Sequence, residues 1–220
     1  MKRRGDPRLL SRPFTVLLDG MIRPWGITHE WRLRDQTVKW GTLTVTLPVE
    51  VVSPRPQLES KHNWLQAQID CLPHVAALAR NKVVKFYKTI ETDFETWGRP
   101  NRVGRGTEFD VFWDVPIEEI PPAMERTIIL GGVKGETKEG KNRFLDSIHE
   151  SRFLELRAAI GKKHSGDIFH LWSAEKAGLD CFLTVDCKFV NAFRHQKRTH
   201  SNVAVVFPTE LCERFRCPER

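Results

Sequence analysis

The chain lacks a long apolar run. No stretch approaches the 18 residues that a transmembrane helix needs, and no apolar segment of signal-peptide length follows the opening MKRRGDP. These absences argue against insertion into a membrane and against secretion. We therefore expect a cytoplasmic protein with no membrane partner.

Cysteine is scarce and is poorly spaced for metal binding. The cysteines form no CxxC pair and no Cys/His set with zinc spacing; they are Cys71, Cys181, Cys187, Cys212 and Cys217. A zinc site built on sulfur is therefore not expected. Cys181 stands in an apolar run and suits the role of a small core residue.

Two glycine-rich stretches, 98–106 and 131–140, lack the order of a phosphate-binding loop. Neither contains GxxxxGK[ST] or GxGxxG, so a nucleotide site has no support. Both are expected to be loops. Arg99, Arg102 and Arg105 in the first stretch could bind a nucleic-acid backbone or simply lie in solvent.

Positive charge is in excess. Lys and Arg number 35 against 28 Asp and Glu, and the net charge of +7 favours polyanionic partners such as nucleic acid. With 220 residues, 40% of them hydrophobic, the chain can bury one core. We expect a single domain over 1–220.

Asp167 and Asp186 frame the most informative segment. From Asp167 to Ala177 the residues suit a helix of about three turns that ends at Gly178. Residues 181–185 predict a short buried strand just before Asp186. A helix start and a strand end can meet at the carboxyl edge of an α/β sheet, where both carboxylates could share a metal. Taken singly, Asp167 could be an N-cap and Asp186 a turn residue.

A family resemblance rests on this segment. Residues 167–189 read DIFHLWSAEKAGLDCFLTVDCKF. This resembles, without a gap, the C-terminal signature of PIN-domain nucleases, roughly D-x-x-H-L-A-x-A-x-x-x-G-x-D-x-F-L-T-x-D-x-x-F. The resemblance extends over 165–215, where a strand ending near Val206 is followed by Pro208 and a short helix, and over 14–22, where an apolar strand ends in Asp19.

The resemblance implies an α/β, PIN-like fold with a central, mostly parallel sheet flanked by helices, its core formed by 14–22 and 59–215. An alternating pattern over 37–53 predicts an inserted β-hairpin that turns near Gly41 or Pro48. Further elements are expected as a helix over Glu59–Arg80 kinked or broken at Pro73, a strand over Val83–Tyr87, and a helical pattern over Phe144–Ile160.

A fourth acid is expected after the second core strand. PIN nucleases carry an essential Glu there, at the start of a helix, and Glu95 is the best match. Glu91 is the reserve, and a solvated acidic helix start would show the same pattern.

The resemblance implies a metal-dependent endonuclease, a hydrolase that acts on single-stranded RNA. Asp19, Glu95, Asp167 and Asp186 would be its catalytic residues and would bind Mg²⁺ or Mn²⁺, hard cations that prefer oxygen ligands. One or two such ions activate water for attack on a phosphodiester. The choice of RNA over DNA rests on the resemblance alone.

Neighbouring residues would support this site. His170 lies one helical turn after Asp167 and is expected to pack beneath the site, while Thr184 shares its side of the strand with Asp186. A basic rim for nucleic acid is expected from Lys188, Arg194, Lys197 and Arg198.

Regulatory partners are also implied. Many PIN relatives are toxins restrained by an antitoxin, although this chain is longer than the compact toxins. An antitoxin or another regulatory protein is therefore an expected partner, and a homodimer stays open.

Two other functions compete with the nuclease. The first is an inactive PIN-like module that binds RNA or protein, favoured by Gly20, where these nucleases more often carry Thr or Ser. The second is a phosphatase with Asp19 as nucleophile, which Met21 disfavours because a second Asp is expected at that position.

Overall fold

The computed structural model describes residues 12–96, 107–125 and 137–216. The first glycine-rich stretch, with Arg99, Arg102 and Arg105, lies outside these ranges, as does most of the second. The strands are β1 (Phe14–Leu18), β2 (His29–Trp40), β3 (Leu43–Pro54), β4 (Val84–Lys88), β5 (Ile117–Glu119), β6 (Cys181–Leu183) and β7 (Ala204–Val206). The helices are α1 (Ile22–Gly26), α2 (Asn63–Asp70), α3 (Leu72–Arg80), α4 (Ile90–Thr96), α5 (Lys138–Asp146), α6 (Ser151–Ile160), α7 (Ser165–Lys176), α8 (Cys187–His195) and α9 (Pro208–Arg214).

Five strands form a sheet in the order β5-β4-β1-β6-β7, and each neighbouring pair is parallel. Helices follow the strands, as parallel connections require. The chain is therefore an α/β protein with a central parallel sheet flanked by helices, which confirms the fold class at that level.

The central strand β1 is buried along its whole length. It lies between two layers of core side chains, one on each face of the sheet. Leu17 packs on one face with Trp172 of α7 and Phe153 of α6. On the opposite face, Val16 and Leu18 pack with side chains of α1, α3 and α9. Because successive side chains of a strand point to opposite faces, β1 contributes apolar side chains to both layers, and its one polar residue, Thr15, bonds to Asp180.

The predicted hairpin is present but is longer than expected. Strands β2 and β3 pair antiparallel over 29–54, and Gly41 turns the chain with a φ of +64°, as one of the two predicted turn positions. Within the described ranges they form a two-stranded sheet of their own, and many of its apolar side chains are exposed, Trp40 to 79%. The hairpin is tied to the body at its base, where Thr28 N donates to Phe109 O at 2.8 Å.

The helices differ from expectation in two places. The expected break near Pro73 lies at Cys71, between α2 and α3, and Pro73 occupies the first turn of α3. The helical pattern over 144–160 is not one helix, because residues 147–150 separate α5 from α6. The glycine-rich stretch expected to be a loop ends inside a helix, since α5 begins at Lys138.

The signature segment folds as a helix followed by a strand. Helix α7 begins two residues before Asp167, and Gly178 just beyond its end has a φ of +66°, a conformation that glycine adopts without strain. Strand β6 ends at Leu183, two residues earlier than predicted. In the described part of the chain, no helix is long and apolar enough to cross a membrane.

Candidate functional site

The carboxyl edge of the parallel sheet gathers the four acids that the sequence singles out, here called the acid cluster: Asp19, Glu95, Asp167 and Asp186. Asp19 directly follows β1, and Asp186 follows β6 by three residues. Glu95 lies in α4, which leaves the end of β4, and Asp167 lies in the first turn of α7. The negative charges of the other three act on the carboxylate of Asp167, which links the four acids electrostatically through that residue.

Asp19 is nearly inaccessible, with 6% of its surface exposed. The hydroxyl of Thr184 donates to its Oδ2 at 2.5 Å, and the backbone N–H of Met21 donates to its Oδ1 at 3.3 Å. Burial raises the pKa of Asp19, and the bond from Thr184 opposes that rise. Thr184 therefore orients Asp19. Thr184 and Asp186 both lie beyond the end of β6, so the strand side that they were expected to share is not present.

Asp186 caps helix α8. Its Oδ1 accepts from the backbone N–H groups of Lys188 at 2.8 Å and Phe189 at 3.0 Å. Its own backbone N–H donates to Thr184 Oγ1 at 3.0 Å. Both capping bonds use Oδ1, so Oδ2 takes no part in the cap.

Glu95 reaches the cluster because Gly20 has no side chain. A Cβ at Gly20 would lie 2.6 Å from Glu95 Oε2, which is too close for any larger residue unless Glu95 moves. Oε1 of Glu95 contacts Lys141 Nζ and lies 3.2 Å from His170 Nε2. Burial alone would raise the pKa of Glu95, but the adjacent charges of His170 and Lys141 hold it well below its usual range.

His170 lies against Glu95 and Thr89. It is buried, with Nδ1 3.3 Å from Thr89 Oγ1 and Nε2 against Glu95. Burial by itself would lower the pKa of His170, but the charge of Glu95 raises it. Glu91, the reserve acid, is buried one turn before Glu95 in α4.

Asp167 is the most perturbed acid of the cluster. It is the third residue of α7 and not its N-cap, a position that His164 takes. Burial, together with the other three carboxylates, raises the pKa of Asp167 to about 7, although the His170 ring opposes that rise. An acid that ionises near neutral pH, beside three more, is a marker of a functional site.

The acid cluster is not a preformed metal cage. No three His, Cys, Asp or Glu side chains in the described ranges are grouped closely enough to hold a metal ion as they stand. Protein groups occupy several oxygens instead, and Lys141 holds Glu95 as a built-in cation. The oxygen donors and the raised pKa of Asp167 suit a divalent cation, which would have to displace Lys141 and one proton.

Comparison with protein-family models, curated proteins and solved structures finds no match for this chain. The PIN resemblance of 167–189 therefore stays a prediction. The chemistry assigned to the acid cluster rests on its own contacts and charges.

The predicted basic rim lies mostly away from the acid cluster. Lys188 is exposed in the first turn of α8, close to Asp186. Arg194 lies about 9 Å further along that helix, where it donates to Glu210 Oε2 at 2.7 Å and to Val205 O at 3.0 Å. Lys197 and Arg198 are exposed beyond the end of α8. Their nucleic-acid role stays a prediction.

A groove that was not predicted from the sequence opens beside the acid cluster. It has a volume of about 630 Å³ and is lined by Glu95, Asp167 and three lysines, Lys141, Lys162 and Lys163. Asp146 also lines it and accepts from Lys162 Nζ at 3.1 Å. We call it the lysine groove. A cavity of similar volume lies between the hairpin base and α3, but none of the acid cluster lines it.

The sequence gives only a weak indication of the lysine groove. Lys162 and Lys163 directly precede the signature segment, and Lys141 follows the second glycine-rich stretch. Only the packing of α5 against α7 brings them together, since the Nζ of Lys141 would lie 3.2 Å from a Cβ at Gly166.

Proposed function

We propose that this chain is a metal-dependent endonuclease that hydrolyses phosphodiester bonds in single-stranded RNA. The observation that carries the proposal is the placement of Asp19, Glu95, Asp167 and Asp186 at the carboxyl edge of a parallel sheet, where burial and then the charges of the other three acids raise the pKa of Asp167 to about 7. Buried like charges of this kind cost folding free energy, and a bound cation would offset that cost. The choice of RNA follows from the PIN resemblance.

The residues of the acid cluster would hold Mg²⁺ or Mn²⁺. Such an ion would activate water for in-line attack and neutralise charge on the phosphate and the leaving oxygen. Thr184 would fix the carboxylate of Asp19, and His170 would fix that of Glu95 from below. These contacts would keep the acids oriented before the substrate arrives.

The lysine groove would bind the RNA backbone. Lys162 and Lys163 are exposed beside Asp167, so phosphates bound there would lead a strand to the acid cluster. Lys141 would be released from Glu95 when a divalent cation takes its place, and could then contact a phosphate. This arrangement supports a substrate longer than a mononucleotide.

A cleavage assay tests the proposal. Labelled single-stranded RNA and DNA of the same sequence would be incubated with the protein and Mn²⁺ or Mg²⁺, with EDTA as a blank. We expect cleavage of RNA with metal, loss of cleavage in Asp167→Asn, and full activity in the control Asp35→Asn, which removes an exposed hairpin carboxylate. Equal cleavage by wild type and Asp167→Asn would reject this site.

A second function is favoured by one observation. Lys141 and the α8 cap already occupy acid-cluster oxygens, which suits an inactive module that binds RNA or a regulatory protein such as an antitoxin. This function predicts RNA binding that is independent of metal, and no cleavage by either protein in the same assay.

A further inference from the structure

The outer half of the β2–β3 hairpin, residues 36–47, has one apolar and one polar face. The register of the two strands places five apolar side chains on one face, here called the apolar face: Val38, Trp40, Leu43, Val45 and Leu47. Gln36 is the one polar residue beside them. The opposite face of the same stretch carries Thr37, Lys39, Thr44 and Thr46. This alternation is typical of a sheet that buries one of its faces.

The apolar face is nevertheless exposed. Trp40 is 79% exposed, Leu43 67% and Leu47 50%. Together the exposed parts of the five side chains amount to on the order of 500 Å². A patch of that size on one surface marks a contact site, because scattered single apolar residues cover much less area. A two-stranded hairpin is also only marginally stable by itself, so a partner on this face would stabilise it.

The charge of the hairpin argues for a neutral partner. Residues 29–54 contain three basic and three acidic side chains, whereas the whole chain has a net charge of +7. A nucleic acid is attracted by an excess of positive charge, and a strongly charged protein by an excess of the opposite sign. The hairpin offers neither. A second copy of the same hairpin would meet no net repulsion there.

The size of the apolar face also fits a second copy. A stable interface buries about 800 Å² on each partner, and homodimer interfaces are about 65% apolar. The apolar face would supply the centre of such an interface, and Arg32, Arg34 and Gln36, which follow on the same face toward the hairpin base, would supply a polar rim. A two-fold axis brings the same patch of both copies together, which suits an apolar and uncharged surface.

We propose that this chain forms a homodimer in which the apolar faces of two β2–β3 hairpins pack against each other. The interface uses no residue of the acid cluster or of the lysine groove. It therefore stands or falls independently of the proposed nuclease activity.

Sedimentation velocity of the full chain, at concentrations from about 0.1 to 100 μM, tests the proposal. We expect a dimer whose dissociation constant is about 10 μM or lower. Trp40→Lys and Leu47→Lys should each raise that constant at least about tenfold, because a charge would be buried at the centre of the interface. Thr46→Lys adds the same charge one position from Leu47 but on the polar face, and should match the wild type.

Hydrogen exchange of the wild type gives a measurement that needs no variant. The amides of residues 36–47 should exchange more slowly as the protein concentration rises, because dimerisation suppresses opening of the hairpin. A wild type that stays monomeric at about 100 μM overturns the inference, even if the hairpin variants weaken RNA binding. A dimer that both Trp40→Lys and Leu47→Lys leave intact, or exchange in 36–47 that is independent of concentration, overturns it too.

Discussion

The two edges of the central sheet each carry an acid from the signature segment, but the two acids have different surroundings. At the amino edge, Asp180 accepts hydrogen bonds from Thr15 N at 2.9 Å, Thr15 Oγ1 at 2.7 Å and Arg12 at 2.9 Å. At the carboxyl edge, the negative charges of three other carboxylates act on Asp167, and its Oδ2 lies 4.0 Å from His164 Nδ1. One acid joins two strands, and the other is held in an unfavourable environment. Proteins keep such environments at functional sites.

The largest expected effect separates the two edges. Asp167→Asn should lower metal-dependent cleavage roughly a thousandfold or more, because the amide cannot supply a charged ligand. It should leave the thermal midpoint of the metal-free protein at pH 8 unchanged or raised, because a buried charge is removed. Parallel melting and cleavage measurements check both values.

Asp180→Asn should lower the stability of the protein and leave cleavage nearly unchanged. We expect a loss of about 1–3 kcal/mol in the free energy of unfolding, because an amide cannot accept all three bonds. Cleavage by the folded fraction should stay within a few-fold of the wild type. A destabilised Asp167→Asn together with a neutral Asp180→Asn would contradict the contrast between the edges.

The free energy of unfolding should also depend on pH through Asp167. In the metal-free protein the pKa of Asp167 is about 7 against an ordinary 3.8, so the unfolded chain ionises first. The stability contributed by this group is full below about pH 4 and is lost as pH rises through about 7, by at most about 1.4 kcal/mol per pH unit. Urea unfolding from pH 4.5 to 8 should show a fall that is smaller in Asp167→Asn.

Metal binding should show the opposite trend. A divalent cation must displace the proton of Asp167, so its affinity should rise up to about tenfold per pH unit until about pH 7 and then level off. Calorimetry at a series of pH values measures this. A flat profile between pH 5.5 and 7 would show that Asp167 is not a ligand.

A smaller effect concerns Lys141. Lys141→Met should tighten metal binding about three- to tenfold, since Glu95 would lose the protein cation that competes with the metal. Lys162→Met removes a lysine from the same groove without touching Glu95 and serves as the control. Equal effects of the two variants would show that only the general charge of the groove matters.

The smallest expected effect distinguishes two basic regions. Neutralising Lys162 and Lys163 should weaken RNA binding and reduce the salt dependence by about one to two counterions, because Lys162 is already paired with Asp146. Neutralising Lys197 and Arg198, which lie beyond the far end of α8, should change the salt dependence of RNA binding less. A titration of binding against salt that gave the larger change for Lys197 and Arg198 would favour the rim expected from the sequence. Arg194 is left intact because Glu210 holds it.

Local pattern was enough to predict several elements of the fold. The apolar run of β1 and the Gly178 helix end depend on residues close in sequence, so their positions could be predicted. Helix α8 was not expected, since its apolar positions Phe189 and Val190 lie in a basic segment that looks like a solvated surface. Strand β5 has three residues and no clear alternation.

The positions of Asp19 and Asp167 could be predicted, because Asp19 directly follows the apolar strand β1 and Asp167 lies in the first turn of α7. Lys141 was missed because its contact with Glu95 comes from tertiary packing. The two residues are 46 positions apart in the chain. The sequence also could not show why residue 20 is glycine, because the carboxylate that a side chain there would contact belongs to Glu95 in α4.

We propose that the acid cluster binds a divalent cation. A crystal structure of the protein soaked in Mn²⁺, with anomalous scattering used to locate the metal, tests this proposal. We expect an anomalous peak about 2.0–2.6 Å from carboxyl oxygens of Asp19, Asp167 and Asp186, directly or through water, with Lys141 moved away from Glu95. Side chains that keep their present contacts, with no peak among them at saturating Mn²⁺, would contradict it.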